Sequence, residues 1–508
     1  MKTLYLYGPP ASGKSTLAKE LARDYGVDAL DLDELIVRRT GMDIPRIFAV
    51  RGEAEFRRIE SETLREAQAS VIALGGGTLL REENRAFAEK NGFVAVIDAD
   101  EETIAKRIEA AQGTRPLGNR FAERKAHYAS FAHRIDGDTR VILPGRLTGR
   151  VRVNSSKSHI HRLLIAEFLA GAAATQSGVP DPAAPACGEC EDISATRRCI
   201  AALSEAKRAG CANAVLDCGE SGSTLRFMAP VAAALGISAE FVCRGRLAQR
   251  PMMDFSNLAS GEHVLRGDVS SQFATGLLFA LPLLPGDSRI RFSTPLQSRG
   301  YVDMTLDVIR DFGIEVEETE DGFLIAGSQR YTMPGDGAKL EPEGDWSSAA
   351  FWFAANALGH EIEIEGLKER SRQPDSAIAS LIETIHAGGR VDVSGCPDNY
   401  PALAVVNHAL GANAVFTGTE RLRLKESDRL AAMEAVFASP HDVDSRGDHR
   451  IAMAAAILAA SSGEGPSLVH GASSVAKSYP AFWQDFASLH NQSHGCKTCR
   501  ENGKISGV

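Results

Sequence analysis

The sequence predicts an α/β protein built from two units. An apolar strand pattern at residues 4–7 leads directly into the glycine-rich segment 8–16, and an amphipathic helix pattern follows. From about residue 139 to about residue 489, strand and helix patterns alternate, which is typical of sheets covered by helices. A chain of 508 residues is long enough for about three compact domains.

The bulk composition excludes several classes of partner. The formal net charge of −10 argues against nucleic acid, and no apolar run approaches the ~18 residues of a membrane span. Nine cysteines, an odd number, and a strand pattern that begins almost at Met1 without a signal peptide predict a cytoplasmic protein with reduced thiols. Because the overall field repels anions, any anion site must be built from local clusters of Lys and Arg.

The segment 8–16 matches the phosphate-binding pattern G-x-x-x-x-G-K-[ST]. Its glycines let the backbone wrap a phosphate chain, Lys14 reaches the outer phosphates, and the Ser15 hydroxyl suits Mg²⁺. Asp31 and Asp33 end the second strand pattern, where one carboxylate can hold the metal's water shell and the other can take a proton from an attacking hydroxyl. The predicted ATP-binding residues are Gly8, Ser12, Gly13, Lys14, Ser15 and Thr16, with Ser15 and, through water, Asp31 at the metal.

Other polar positions of the first unit say little one at a time. Arg57 lies beside the apolar stripe of a helix predicted over 53–68, and a lone arginine there is usually a solvated surface residue. The three glycines 75–77 follow a buried strand pattern, so the backbone can approach a ligand closely there. Arg115 lies in a polar loop suited to a lid, and Arg124 lies further on.

Taken in order, these segments resemble shikimate kinase. The matching segments are the P-loop, Asp31 to Asp33, Gly52 to Glu60, Leu74 to Gly77, Arg115 to Leu117 and Arg124 to Tyr128. The resemblance implies a five-stranded parallel sheet with helices on both faces. It also implies ATP as the phosphoryl donor, with Mg²⁺ bound beside it. It also implies that Asp33, Arg57, Gly76 and Arg124 surround shikimate. Asp33 would be the hydroxyl-activating base, and Arg115 would close on the transferred phosphoryl group.

The first unit departs from that family at its end. The family has a final helix after its last strand, whereas here residues 133–136 pass almost directly into the second unit. A helix of a dozen residues could bury roughly 400 Å² of apolar surface, a gross stabilisation of about 10 kcal/mol. We therefore expect the second unit to pack where that helix would lie. The linker 137–139 is too short to act as a flexible tether.

Repeated turns organise the second unit. The segment 154–162 is a small polar turn with a lysine before an apolar helix pattern at 163–170, and similar turns begin at residues 219, 267, 344 and 447. A serine cap explains any one of them, but several helix starts of one design favour convergence on an anionic ligand. Eight cations lie beside these and other turns: Lys157, Arg162, Arg226, Arg250, Lys425, Arg429, Arg450 and Lys477.

Two carboxylates complete the pattern. Asp398 follows a Cys-Pro turn, and Glu426 lies between Lys425 and Arg429. Neighbouring cations depress a carboxylate pKa and burial raises it, so the balance can poise a proton shuttle. With cations on both facing surfaces, we expect the empty cleft to stay open by repulsion and to close on an anionic substrate.

The second unit closely resembles 5-enolpyruvylshikimate-3-phosphate synthase (EPSP synthase) along its length. The matching segments are 156–162, 221–226, 249–252, 269–272, 298–301, 344–348, 397–398, 425–429, 448–450 and 475–479. The resemblance implies two lobes of βαβαββ repeats and no metal or organic cofactor. The residues implied for shikimate 3-phosphate are Lys157, Ser158, Arg162, Ser270, Ser271, Gln272, Ser298, Tyr301, Asp398 and Lys425. Those implied for phosphoenolpyruvate are Lys157, Gly222, Arg250, Arg429, Arg450 and Lys477.

The implied chemistry is carboxyvinyl transfer. Asp398 accepts the 5-hydroxyl proton, Lys157 or Glu426 protonates the methylene, and Glu426 later removes a methyl proton. Position 220 departs from many relatives, since it is Glu where they carry Asn.

The predicted boundaries are 1–138 for the kinase-like unit and 139–489 for the synthase-like unit. Within the latter, lobe A comprises about 139–153 plus 345–489, and lobe B about 154–344. Residues 490–508 are expected to form a mobile tail, and two Cys-x-x-Cys pairs, at 187/190 and 496/499, are far more typical of free thiols than of a zinc site.

Two alternatives stay open. The kinase-like unit could be a catalytically inactive structural or nucleotide-sensing module, which the missing helix favours and the retained Lys14, Asp33, Arg57 and Arg124 oppose. The second unit could be the related UDP-N-acetylglucosamine enolpyruvyl transferase, which Ser158 and the segment 270–272 disfavour. The sequence does not determine oligomeric state, channelling or glyphosate sensitivity.

Overall fold

The computed structural model describes residues 2–99, 102–104, 106, 120–171, 189–335 and 341–495. The α-helices are α1 Lys14–Tyr25, α2 Leu32–Thr40, α3 Ile44–Glu66, α4 Glu82–Asn91, α5 Arg120–Ala129, α6 Lys157–Leu169, α7 Glu191–Ala209, α8 Gly222–Ala234, α9 Ser271–Ala280, α10 Arg299–Asp311, α11 Trp346–Ala357, α12 Ile378–His386, α13 Tyr400–Ala409, α14 Arg429–Ala438, α15 His449–Ser462 and α16 Phe482–Gly495. The strands are β1 Thr3–Tyr7, β2 Ala29–Asp31, β3 Val71–Ala73, β4 Gly92–Ile97, β5 Arg134–Ile135, β6 Thr139–Ile142, β7 Thr148–Arg152, β8 Asn213–Gly219, β9 Ser238–Cys243, β10 Glu262–Arg266, β11 Ser288–Thr294, β12 Val316–Thr319, β13 Gly322–Ile325, β14 Glu361–Glu365, β15 Arg390–Asp392, β16 Val415–Thr417, β17 Asp442–Asp444 and β18 Ser467–His470. None of the helices in the described ranges has the length and apolar character needed to cross a bilayer.

The first unit is a parallel sheet of five strands in the order β2-β3-β1-β4-β5, which confirms the prediction. Its central strands are apolar and fully buried, so the sheet is covered on both faces. The glycine-rich segment follows β1 at the carboxyl edge of the sheet. Asp31 is the last residue of β2 and lies at the same edge. The helix predicted over 53–68 is longer than expected, because α3 begins at Ile44 and bends at Gly52, whose φ is 77°.

The second unit has two separate apolar cores. One core is built from residues of lobe B, such as Leu216, Phe227 and Phe279. The other contains lobe A residues such as Trp352 and Phe482. The chain passes between the cores twice at one place, where Ser155 bridges to Gly344 and the Asp345 N–H donates to the Asn154 carbonyl at 2.9 Å. The proposed lobe boundaries fall at this double crossing.

One complete βαβαββ repeat is visible in lobe B. Its elements follow in the order β10-α9-β11-α10-β12-β13 and form a four-stranded sheet ordered β10-β11-β13-β12. In this sheet β10 and β11 are parallel, and β13 pairs antiparallel with both β11 and β12.

Each of the repeated polar turns begins a helix, as predicted. The cap side chain accepts a hydrogen bond from a backbone N–H of the first turn in every case, which satisfies a donor that the helix leaves unpaired. The caps are Ser156 on α6, Ser221 on α8, Ser270 on α9, Asp345 on α11 and Asp448 on α15. The α6 helix starts at Lys157, earlier than the apolar pattern at 163–170 indicated, so Lys157 belongs to its first turn.

The first unit shares an apolar core with lobe A of the second unit. Leu21 and Tyr25 of α1 belong to the same cluster as Phe486 and Leu489 of α16. The Tyr25 ring lies 4.6 Å from that of His490, and its hydroxyl donates to the Val141 carbonyl at 3.0 Å. The second unit therefore packs on the first through α1 and α16. Whether it replaces the family's final helix stays a prediction.

The expectation of a tail from residue 490 is wrong at its start. The α16 helix continues to Gly495, and His490 is only 2% exposed because it packs against Tyr25 and Phe486. Residues 496–508, with Cys496 and Cys499, lie outside the described ranges, as does Cys187. Cys190 is buried, and the described residues contain no cluster of three or more His, Cys, Asp or Glu suited to a metal ion.

Candidate active sites

The P-loop pocket is a cavity of about 920 Å³ beside segment 10–16. Its loop has left-handed backbone at Gly8, Ala11 and Gly13, with φ of 134°, 60° and 106°. This geometry turns successive N–H groups toward one concave surface, which suits a phosphate chain. The Lys14 ammonium donates to the carbonyls of Gly8 at 3.0 Å and Pro9 at 2.6 Å, so it lies across the mouth of the loop.

A polar pair at this pocket fits Mg²⁺. The Ser15 hydroxyl donates a short hydrogen bond to the Asp31 carboxylate, which also caps α2 by accepting from the Asp33 and Glu34 N–H groups. A hydroxyl and a carboxylate held together beside a P-loop are the hard oxygen donors that Mg²⁺ prefers. Asp33 lines the same cavity, so both predicted carboxylates lie where the sequence placed them.

The residues implied for shikimate meet around the glycine turn 75–77. The Gly76 carbonyl accepts from the Tyr128 hydroxyl at 2.6 Å and from Arg124 at 3.3 Å. A Cβ at Gly77 would lie 2.8 Å from the Arg57 guanidinium, so the guanidinium would have to shift to admit any larger residue there. Arg57 also pairs with buried Glu60 at 2.6 Å. Arg115 lies outside the described residues, and its role stays a prediction.

The interlobe cleft is a second cavity, of about 110 Å³, between lobes A and B. The N-terminal turns of α6, α8, α9, α11 and α15 all border it, so the repeated turns converge as the sequence indicated. The predicted residues that line the cleft are Lys157, Ser158, Arg162, Gly222, Arg226, Arg250, Ser270, Ser271, Gln272, Ser298, Tyr301, Asp398, Lys425, Glu426, Arg429 and Arg450.

On the lobe A side of the cleft, Arg429 contacts three carboxylates and is 1% exposed. Its guanidinium donates to Asp398 at 2.6 Å, to Glu426 at 2.8 Å and to Asp448 at 2.9 Å. Asp398 also accepts from Lys425 at 3.1 Å. The α14 helix begins at Arg429, which places this side chain beside the start of α15 where Asp448 lies.

The cations of the cleft lower the pKa of two of its carboxylates, Asp398 and Glu426. Burial raises the pKa of Asp398, but Arg450, Lys425 and Arg429 together outweigh it and hold this pKa well below its usual range. Burial likewise raises the pKa of Glu426, but Arg429 and Arg250 outweigh burial and hold this pKa well below its usual range. In the absence of ligand, therefore, cation attraction exceeds the burial effect.

On the lobe B side of the cleft, the polar side chains are held by hydrogen bonds within the lobe. Arg162 is buried and donates to the Thr305 hydroxyl and the Tyr301 carbonyl, each at 2.8 Å, while burial lowers its pKa to about 10. Gln272 accepts from Arg226 at 2.7 Å and donates to the Ser223 hydroxyl at 2.9 Å. These contacts fix the side chains before any ligand arrives.

Two of the sequence expectations concern contacts between the lobes. Lys477 is not among the residues that line the cleft cavity. Its ammonium donates to Glu220 of lobe B at 2.6 Å and to the Gly447 carbonyl at 2.8 Å, and its role toward phosphoenolpyruvate stays a prediction. The expectation of an open cleft counted only the cations, whereas two carboxylates face cations of the other lobe: Glu220 meets Lys477, and Glu426 meets Arg250 at 3.6 Å. Opening of the cleft without substrate stays a prediction.

Several cleft residues escaped the sequence analysis. Asp192 accepts from the Lys157 ammonium at 2.8 Å, and nothing in the local sequence marks it. Arg421 donates to the Ser298 hydroxyl and the Ser394 carbonyl, each at 2.6 Å, and the basic run before Lys425 could have drawn attention to it. Asp375 is buried against the Tyr301 hydroxyl at 2.5 Å, and burial raises its pKa to about 6.

Comparison with known proteins agrees with both units. The family model for shikimate kinase matches residues 10–137, and that for EPSP synthase (3-phosphoshikimate 1-carboxyvinyltransferase) matches residues 256–439 and 434–486. The chain is 34% identical over 423 residues to a 3-phosphoshikimate 1-carboxyvinyltransferase of Clostridium kluyveri, covering 68% of this chain and 96% of that protein. The same enzyme of Clostridium novyi is 32% identical over 424 residues, with the same shares covered.

Solved structures of both kinds are also similar to parts of the chain. A shikimate kinase from Acinetobacter baumannii in complex with shikimate has 33% identity and a TM-score of 0.25, and covers 26% of this chain and 82% of its own. An EPSP synthase from the same organism has 19% identity and a TM-score of 0.49, and covers 70% of this chain and 98% of its own.

Fold and sites together define a transferase with a P-loop unit joined to a two-lobed unit. More narrowly, the chain belongs to the EPSP synthase family and carries a shikimate kinase unit ahead of the synthase.

Proposed function

We propose that this chain catalyses two consecutive steps: ATP-dependent phosphorylation of shikimate, and carboxyvinyl transfer from phosphoenolpyruvate to shikimate 3-phosphate. The product of the first site is the substrate of the second, which gives the union of the two units a chemical reason. Support comes from one arrangement above all: five capped helix starts and the cations of both lobes border a single cleft, in a chain that also retains a complete P-loop.

In the first step, the 3-hydroxyl oxygen of shikimate attacks the γ-phosphorus, ADP leaves, and Asp33 takes the hydroxyl proton. Lys14 and the loop N–H groups hold the phosphates, and Arg57 and Arg124 hold the acceptor. Ser15 and, through water, Asp31 would hold Mg²⁺, which would supply charge neutralisation to the outer phosphates. The position of the Gly76 turn between Pro10 and Arg124 supports this assignment, because it brings the acceptor side next to the loop.

In the second step, the 5-hydroxyl oxygen of shikimate 3-phosphate attacks C2 of phosphoenolpyruvate. Asp398 takes the hydroxyl proton, and the methylene carbon gains a proton to give a tetrahedral adduct. Phosphate then leaves C2 as Glu426 removes a methyl proton.

The electrostatics favour Lys157 over Glu426 as the methylene proton donor. Burial lowers the pKa of Lys157, but Asp192 and Cys190 outweigh burial and raise it above its ordinary value, so the ammonium is protonated. Arg429 and Arg250 outweigh burial and hold the pKa of Glu426 below its usual range, so this carboxylate is rarely protonated. The phosphate and carboxylate of the ligands would draw Arg429, Lys425 and Arg450 away from Asp398, which raises its basicity when the substrates are bound.

Separate assays of the two steps test the proposal. Asp33→Asn should lower phosphorylation of shikimate by about 10²- to 10⁴-fold and leave carboxyvinyl transfer unchanged. Glu426→Gln should do the reverse, by a similar factor. Glu34→Gln and Glu420→Gln, exposed neighbours of each position, serve as controls.

A wild-type chain that consumes no shikimate with MgATP, yet performs carboxyvinyl transfer, would show that the kinase unit is structural or nucleotide-sensing. Transfer to UDP-N-acetylglucosamine in place of shikimate 3-phosphate would reassign the second unit.

A further inference from the structure

The P-loop pocket is walled by both units. Segment 10–17 and the strand ends near Asp31 and Leu74 form one side. The opposite side consists of the junction 135–140 together with Ala472, Ser473 and Trp483 of the second unit. The kinase unit's own residues therefore enclose only part of the cavity in which they bind phosphate.

This second wall is fixed by specific hydrogen bonds. The Asp138 carboxylate accepts from the Ser473 N–H at 2.6 Å and the Ser473 hydroxyl at 2.9 Å, and the Asp138 carbonyl accepts from the Ala472 N–H at 3.0 Å. The Trp483 indole N–H donates to the Ala472 carbonyl at 2.8 Å. The junction, the 472–473 turn and α16 are thus held together as one surface facing the P-loop.

The chemistry of this surface suits a nucleoside. Trp483 is the only aromatic side chain among the described residues that line the pocket. The Arg140 guanidinium lies 5.9 Å from its ring, which adds a cation beside the aromatic face. Purines bind proteins chiefly by stacking on such faces, whereas the loop N–H groups and Lys14 account for the phosphates.

We propose that the synthase unit completes the nucleotide site of the kinase unit: Trp483 stacks on the purine base, and Arg140 and Ser473 face the nucleoside. This inference rests on the proposed kinase function for the loop that holds the phosphates. It assigns nucleoside recognition, however, to residues that lie outside the shikimate kinase match at 10–137.

The test compares two probes on the full-length chain, MgATP and magnesium tripolyphosphate, by equilibrium titration. Trp483→Leu should weaken MgATP binding about ten-fold, within the range of a lost base stack, and leave tripolyphosphate binding unchanged. Trp483→Phe, which keeps an aromatic face, should retain most of the MgATP affinity. Gln484→Ala, a substitution at an exposed position of α16 that does not line the pocket, should alter neither.

Fluorescence gives an independent readout, since the chain has three tryptophans. MgATP should quench the emission, the quench should vanish in Trp483→Phe, and it should persist in Trp346→Phe. The inference is overturned if Trp483→Leu binds MgATP like the wild type, if it loses both probes equally, or if the wild type binds no MgATP. Trp483-dependent MgATP binding without phosphorylation of shikimate would uphold the inference and refute the kinase activity alone.

Discussion

The two anion sites of this chain are built in opposite ways. The P-loop pocket, a cavity of about 920 Å³, offers backbone N–H groups and one lysine, and left-handed residues such as Gly8 and Gly13 shape its loop. The interlobe cleft uses side chains, and its cavity is only about 110 Å³ because arginines and carboxylates already fill it with ion pairs.

An acidic protein can therefore build an anion site in two ways, from backbone groups or from side chains. A backbone site is fixed by the fold and needs no counter-charge when it is empty. A side-chain site must neutralise its own cations until the ligand arrives, and Asp398, Glu426 and Asp448 do this for Arg429. Removing a cation should therefore affect stability in the cleft and mainly ligand binding in the P-loop.

The largest expected effect is that of Arg429→Ala. It removes the guanidinium shared by three carboxylates and leaves buried charge uncompensated, so the free energy of unfolding should fall by about 3–5 kcal/mol. Carboxyvinyl transfer should be lost with it. Chemical denaturation followed by circular dichroism measures the first quantity. Arg423→Ala, an exposed arginine of the same segment, is the control and should change stability by less than about 1 kcal/mol.

Lys14→Met is the contrasting change in the P-loop. Shikimate phosphorylation should fall about 10²- to 10³-fold, because a preorganised charge on the transferred group is removed. The free energy of unfolding should change by only about 1 kcal/mol, since the lysine donates to neutral groups, the Gly8 and Pro9 carbonyls and the Ser12 hydroxyl. A loss of stability as large as that of Arg429→Ala would erase the distinction between the two sites.

A smaller effect tests the contact between the units. Asp442 accepts from His133 of the kinase unit at 2.6 Å and from His470 at 2.7 Å. Burial raises the pKa of Asp442, but the two histidines outweigh burial and lower it from 3.8 to about 2, so its contribution is present above pH 3.8 and lost toward pH 2. The hydrogen bond to Asp442 raises the pKa of His470 above 6.5, so its contribution is present below pH 6.5 and lost at higher pH.

Asp442→Asn should therefore lower the free energy of unfolding by about 1 kcal/mol between pH 4 and pH 6.5, and by less at pH 9. Thermal unfolding across this range measures it. Glu434→Gln, at an exposed carboxylate of α14, is the control. A loss that grows as the pH rises would contradict the assignment.

The smallest effect concerns the pair between the lobes. Glu220→Gln should free Lys477 for phosphoenolpyruvate and lower its KM by at most about five-fold, the scale of a partly exposed ion pair. Steady-state kinetics at fixed shikimate 3-phosphate would show it. An increase in KM would mean that Glu220 orients Lys477 rather than competing for it.

Local signals carried much of the prediction from sequence. The P-loop and the five capped helix starts follow from short patterns whose physics is local, namely cap side chains and left-handed glycines, whereas the parallel sheet was implied by the resemblance to shikimate kinase. The cleft's cations came together because each lies beside such a turn.

What escaped prediction depends on distant parts of the chain. The pairing of Lys157 with Asp192 and the approach of α16 to α1 follow from the tertiary arrangement. The pairing of Lys477 with Glu220, which lies 257 residues earlier, follows from it as well.

The most direct measurement supplies shikimate, MgATP and phosphoenolpyruvate to the full-length chain and follows all phosphorus species by ³¹P NMR. If both sites work, shikimate 3-phosphate should form and be converted to 5-enolpyruvylshikimate 3-phosphate, with ADP and inorganic phosphate released in equal amounts at completion. Release of inorganic phosphate only when shikimate 3-phosphate replaces shikimate would contradict the claim that both sites work.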